Sequence, residues 1–254
     1  MKLAKKISSV LIAVLLLAVL PVNTFAKEHD NRRVVEYVAL GDSLAYGQTP
    51  YRTKDLGYPD YLKQRIEQLR VKVDYVNFGV PGYTSFQLKN DLLNSALVRD
   101  EIKTARLITI DIGANDLLGT LQTNPANAGA AIQSVSANLQ TILSTIDQLN
   151  PKANVYVMGY YNPFPYLPSQ QQASLLPLLH ALNQQILLLS AAHGDTFVPT
   201  ETVIAKNYQL YLPNPQDIHL SLAGYKAVAN EFSKAILGDQ INKIIKEFET
   251  KQVK

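Results

Sequence analysis

Ser43 is the residue whose type and setting first suggest chemistry. It follows the apolar run Val34-Val35-Glu36-Tyr37-Val38-Ala39-Leu40 and lies between Gly41 and Gly47. A strand ending in glycine can turn sharply and approach a ligand closely, because no Cβ obstructs it. Ser43 therefore belongs at the carboxyl edge of a sheet, where open α/β folds place reactive groups. A serine hydroxyl there suits attack on an ester carbonyl once a base removes its proton. Of the four histidines, His180 lies on an apolar helical stretch and reads as a packing residue, His193 reads as a helix end, and His29 falls in a polar leader. His219, in Asp217-Ile218-His219-Leu220-Ser221, is the candidate base.

Two further segments bring polar or glycine residues to predicted strand ends: Val76-Asn77-Phe78-Gly79-Val80-Pro81-Gly82 and Asp111-Ile112-Gly113-Ala114-Asn115-Asp116. With Ser43 first and His219 last, the four segments resemble the blocks of the GDSL, or SGNH, hydrolases, a family named for the Ser, Gly, Asn and His of those blocks. Their order and approximate spacing match over nearly all of the chain after Ala26. Tyr160-Tyr161-Asn162-Pro163-Phe164-Pro165 is similar to the secreted bacterial lipase and acylhydrolase branch.

The resemblance implies acyl transfer to water. His219 deprotonates Ser43, Ser43 attacks the carbonyl, and water activated by the same histidine releases the acyl group. It also implies an oxyanion hole built from the backbone N–H of Ser43, the backbone N–H of Gly79 and the side-chain amide of Asn115. The family's Asp-x-x-His spacing would put the orienting acid at Gln216, whereas here Asp217 stands two residues before His219. In an extended segment residues i and i+2 share a face, so Asp217 is the expected third member, with Asp195, Glu201 or a backbone carbonyl as alternatives. Each residue also has an ordinary structural use: Gly79 in the Val80-Pro81-Gly82 turn, Asn115 as a helix cap, and His219 ahead of the Ser221 helix. Asp42 and Asp116 invite a metal reading, but the histidine and carboxylate spacing of metal sites is missing, so no metal or other cofactor is expected.

These residues need elements to position them. Val71–Phe78, Arg106–Ile110, Ala153–Gly159 and Asp195–Pro199 read as strands beside the first one. Helices are expected over Tyr58–Leu69, around Phe86 to Leu93, from Asn124-Pro125 to Leu149, over Gln170–His193 with Pro177 kinking or dividing it, over Thr200–Lys206 and over Ser221–Leu237. Lys243–Lys254 reads as a charged, fraying tail. Alternating strands and helices predict an α/β/α sandwich of three layers around a mainly parallel five-stranded sheet, flavodoxin-like, as the resemblance also implies. The proline-rich Tyr160–Pro168 must loop near the strand ends. With Leu175, Leu176, Leu178 and Leu179 it can line an acyl groove, although such leucines usually belong to a core.

Met1–Ala26 has the form of a secretory signal: Lys2, Lys5 and Lys6, then the apolar Val10–Leu20, then Thr24-Phe25-Ala26. Cleavage after Ala26 leaves residues 27–254, about 230 residues, enough for one domain with a sizeable core. The chain has no cysteine, which excludes disulfides and thiolate chemistry, and its net charge of +3 gives no nucleic-acid footprint. The expected protein is a secreted, monomeric serine ester hydrolase for small-molecule or lipid esters, with room for peripheral contact with membrane or cell wall. A carbohydrate or cell-wall O-acetyl esterase is the enzymatic alternative, and a non-catalytic surface-binding protein on the same scaffold is the second.

Overall fold

The computed structural model describes residues 34–252, with side chains through residue 240. The expected signal peptide lies outside the described residues. Strand β1 (Val34–Gly41) leads into a one-turn helix, α1 (Ser43–Tyr46), and after a loop into α2 (Tyr58–Gln68). Strand β2 (Lys72–Gly79), α3 (Ser85–Asn94) and α4 (Ala96–Thr104) precede β3 (Leu107–Asp111) and α5 (Ala114–Thr123). A 3₁₀ turn (Pro125–Asn127) opens onto the long α6 (Ala128–Leu149). Then come β4 (Asn154–Gly159), α7 (Ser169–His193), β5 (Thr196–Pro199), α8 (Glu201–Ala205), α9 (Tyr208–Tyr211) and α10 (Leu222–Gln252).

The strands form one sheet in the order β2-β1-β3-β4-β5, with every ladder parallel. Strand β3 is buried along its whole length, as a central parallel strand must be when helices cover both faces. The chain leaves β1 toward one edge and returns past it to β3, so a crevice opens between the carboxyl ends of these two strands. Register sharpens this: Gly41 pairs with Gly79 on one side and Asp111 on the other. Three strand ends, each followed by a segment with candidate chemistry, thus stop at one level.

Helices α3, α6 and α7 pack together, while α2 packs on α10. Ile132, Val135, Leu139, Ile142 and Ile146 form the buried stripe of α6 at helical spacing. Tyr58 of α2 stacks on Phe232 of α10 with ring centroids 4.7 Å apart, and both are fully buried. Burying one such side chain contributes about 1.5–3 kcal/mol.

Several elements differ from expectation. Helices α4 and α5 lie where no element is expected, and the helix opened by Asn124-Pro125 is a 3₁₀ turn followed by α6. Helix α7 is one uninterrupted element with Pro177 inside it. Pro177 and Ala173, whose carbonyl loses its partner, are both exposed, so the break in the helical ladder lies on the solvent side of the helix. The expected tail is instead the continuation of α10 to Gln252, in keeping with lysine and glutamate as good helix formers and the absence of proline there.

Candidate active site

The turn after β1 is built by two buried carboxylates. Asp42 caps α1, its Oδ1 accepting the N–H of Leu44 at 2.9 Å. Asp111, at the end of β3, accepts the N–H groups of Asp42 and Ala45 on Oδ2, each at 3.2 Å. Gly41 permits this closeness, because a Cβ there would come within 2.3 Å of Asp111 Oδ1. Ser43 is the first residue of α1, where amides have no intrahelical acceptor, and its N–H has no partner among the described residues. Burial pushes Asp42 above the usual carboxylate range, against the pull of its hydrogen bonds and of His219.

His219 lies in the loop between α9 and α10, and its Nε2 is 2.9 Å from Ser43 Oγ. Its Nδ1 is 2.6 Å from Asp217 Oδ1, which also accepts the His219 backbone N–H at 2.9 Å. With the Nδ1 hydrogen donated to the carboxylate, Nε2 is left to accept from the serine hydroxyl. Tyr161 Oη donates to Ile218 O at 2.8 Å, and Tyr225 Oη to Gln48 O at 2.6 Å. These tyrosines fix the histidine loop against the serine turn. The alternative acids are elsewhere: Glu201 faces His180 at 2.9 Å, and Asp195 precedes β5 at the opposite edge of the sheet. His180 is therefore an exposed, paired residue and not a packing one.

Asn115 is the second residue of α5, whose cap is Gly113, so it is not a helix cap. Its Nδ2 donates to Tyr83 O at 2.8 Å and to Asp42 Oδ2 at 3.3 Å, which aims the amide at the serine turn. Gly79 departs from expectation. Its N–H donates to Asn77 Oδ1 at 2.8 Å, and a Cβ on it would come 2.4 Å from Tyr46 N. Its amide is engaged, and its lack of a side chain serves the packing of β2 on α1. Gly82, three residues on, has φ +79° and open space where a Cβ would be, directly before the carbonyl that holds Asn115. Asp116 accepts from Ser85 N and Oγ at 2.8 and 2.7 Å, a structural use, and no cluster of three metal-ligating side chains occurs among the described residues.

Ser43, Asn115 and His219 lie with Asp42 at the polar end of a cavity whose remaining wall is apolar except for Asn162. Of the four leucines of α7 expected to line a groove, Leu175, Leu176 and Leu179 line this cavity and Leu178 does not. Leu117, Leu118 and Leu121 of α5 form a wall that escapes sequence reasoning because the helix itself does. Their spacing, two adjacent leucines and a third one turn on, is the signal that marks that face.

Residues 39–227 match the model of the GDSL-like lipase/acylhydrolase family. The chain belongs to this family. It is 23% identical to the spore germination lipase LipC of Bacillus licheniformis over 80% of its own length and 97% of that protein's. Among solved structures, the lipase Lip_vut3 from a goat rumen metagenome superposes with a TM-score of 0.69 at 24% identity, covering 80% of this chain and 97% of that one. An acetylxylan esterase from Geobacillus stearothermophilus, a catalytic mutant, superposes at 0.62 with 17% identity over 79% and 93%. At these identities the likeness shows a shared fold. The same fold thus occurs in a protein described as a lipase and in one described as an acetylxylan esterase.

Proposed function

We propose that this protein is an exported serine ester hydrolase that cleaves esters of extended apolar acyl groups through an acyl-Ser43 intermediate. The observation that carries the reading is the relay from Asp217 through His219 to Ser43, with contacts of 2.6 and 2.9 Å, at the polar end of a mostly apolar cavity. His219 Nε2 takes the Ser43 proton as Oγ attacks the carbonyl carbon, and Asp217 keeps the ring in the required tautomer. The proton then passes to the leaving alcohol, and water attacks the acyl-enzyme with His219 again as base.

The oxyanion of each tetrahedral intermediate needs donors. The free N–H of Ser43 supplies one, and Asn115 supplies another by exchanging its longer bond, to Asp42, for the substrate oxygen. With Gly79 engaged by Asn77, we assign the third donor to the N–H of Gly82, whose neighbour Tyr83 holds Asn115 through its carbonyl.

The wall argues for the acyl chain. A sugar presents hydroxyls that need polar partners, and beyond the reactive end the lining offers chiefly leucine and aromatic side chains. The basic start and apolar run of residues 1–26 support export. The test is an ester panel on purified protein: p-nitrophenyl esters of increasing chain length beside an acetylated xylo-oligosaccharide. Turnover that rises from acetyl to longer acyl esters and disappears in Ser43→Ala supports the reading. A preference for the acetylated sugar moves the protein to the carbohydrate esterases, and no turnover of any ester removes the catalytic reading.

A further inference from the structure

Asp42 and Asp111 form an unusual pair beneath the nucleophile. Both side chains are buried, with 2% and 0% of their surfaces exposed. Neither forms an ion pair with lysine or arginine among the described residues. The ionisable groups around them are Tyr37 from β1, Tyr58 from α2, Tyr160 and Tyr161 after β4, Tyr225 from α10, and His219 with its partner Asp217. Burial holds the five phenols well above their ordinary range and therefore neutral, and His219 is the base in the group. Two adjacent carboxylates in so dry a place cannot both stay ionised, so the pair retains one proton.

The hydrogen bonds say where that proton sits. Asp111 Oδ2 already accepts two backbone N–H groups, from Asp42 and Ala45. Asp42 Oδ1 accepts the Leu44 N–H, and its Oδ2 faces two donors, Tyr160 Oη at 3.2 Å and Asn115 Nδ2 at 3.3 Å. Asp111 Oδ1 faces a hydroxyl, Tyr58 Oη, at 2.7 Å. Tyr58 Oη donates there, since its other neighbour, Thr109 Oγ1, is 3.5 Å away and 2.9 Å from Tyr37 Oη, and the Asp42 and Asp111 carboxyl groups are hydrogen-bonded to each other. The proton therefore belongs to Asp111, in its hydrogen bond to the Asp42 carboxylate, and the charge stays on Asp42, which has the richer set of donors. Burial and the charge of Asp42 both push Asp111 well above the usual carboxylate range, in agreement.

Given the ester hydrolase reading above, we propose that Asp111 is a positioning residue that works as a neutral acid. It clamps the main chain on both sides of Ser43 through two N–H groups while limiting the buried negative charge under the oxyanion to one. A second charge there would oppose the oxyanion and compete for Asn115.

Asparagine reproduces a neutral acid at this position, since its Oδ1 accepts the two amides and its Nδ2 donates to the Asp42 carboxylate. Asp111→Ala is expected to lower kcat by about 100-fold with KM little changed, because a misplacement of about 1 Å carries that penalty. Asp111→Asn is expected to rescue most of that loss and to remove the alkaline fall in kcat that proton loss from Asp111 causes in the wild type. Infrared spectroscopy at neutral pH gives an independent readout: a protonated-carboxyl C=O band in the wild type minus Asp111→Asn difference spectrum, from which the contribution of Asp195, common to both proteins, cancels. Absence of that band, or an Asn variant as impaired as Ala with an unchanged alkaline limb, overturns the proposal. The infrared arm needs neither the Ala variant to fold nor any ester to be turned over, so a failed ester panel and a failed Asp111 assignment are distinguishable.

Discussion

Two histidine–aspartate contacts of equal length, 2.6 Å, occur at opposite edges of the same sheet. His219 meets Asp217 at the carboxyl edge, and its second nitrogen reaches Ser43 beside an apolar cavity. His193 meets Asp147 where α7 ends, before β5 begins, and its second nitrogen reaches the side-chain amide of Gln140 at 2.7 Å. One pair can therefore pass a proton to a reacting group, and the other ends on an amide that neither attacks nor titrates. A short histidine–carboxylate contact is thus no evidence of catalysis in itself. What separates the two is the atom on the far side of the ring and the space in front of it.

Breaking the first pair should have the larger effect. Asp217→Asn is expected to keep the fold and cut kcat by about 10⁴-fold, because the amide permits the wrong tautomer of His219. Steady-state kinetics beside a melting curve check this. Retention of near-full activity would mean that the two contacts are equivalent after all. Asn115→Ala comes next: kcat should fall by about 10²–10³-fold with KM and Tm nearly unchanged. If lost activity tracks lost stability, Asn115 holds the Tyr83 loop and does no more.

The sequence carries much of the site because its residues sit at local punctuation. Ser43, Asn115 and His219 each follow a strand end or precede a helix, and glycine or a helix start marks the place in the chain itself. Gly79 shows the limit: its neighbourhood contains two glycines, and only the fold reveals that Asn77 engages the amide of the first. Asp111 is illegible for a related reason. Its importance comes from the β1–β3 register, which sets it opposite Gly41, a contact between residues far apart in the chain. Helix α5 is hidden by its Gly119 and its short polar turns, and the leucine wall of the cavity is hidden with it. The extended segment at Asp217 is the opposite case, since a two-residue spacing on one face is local and needs no tertiary information.

The second pair sharpens the comparison by what it leaves alone. His193→Ala should leave kcat and KM unchanged and lower stability by about 1 kcal/mol, read from urea melts. A loss of turnover at intact stability would make the amino edge part of the machinery. Its neighbour Asp195 has a pH-dependent effect on stability and none on turnover. Burial, with the charge of Asp147 adding and His193 opposing, pushes Asp195 up to about 7, and its Oδ2 has no hydrogen-bond partner among the described residues. An unfolded aspartate titrates near about 3.9, so between about 4 and 7 the folded state binds the extra proton and stability falls as pH rises. Asp195→Asn should therefore raise Tm at about pH 8 and leave it unchanged at about pH 3.5. An equal shift at both values would exclude titration as the cause.

The account rests on Ser43 being the atom that attacks, and covalent trapping tests that most directly. Incubation with an organophosphonate ester followed by peptide mass spectrometry should find one adduct, on Ser43, formed in parallel with loss of esterase activity and absent from Ser43→Ala and His219→Ala. An adduct on another residue that abolishes activity while Ser43 stays unmodified would contradict it.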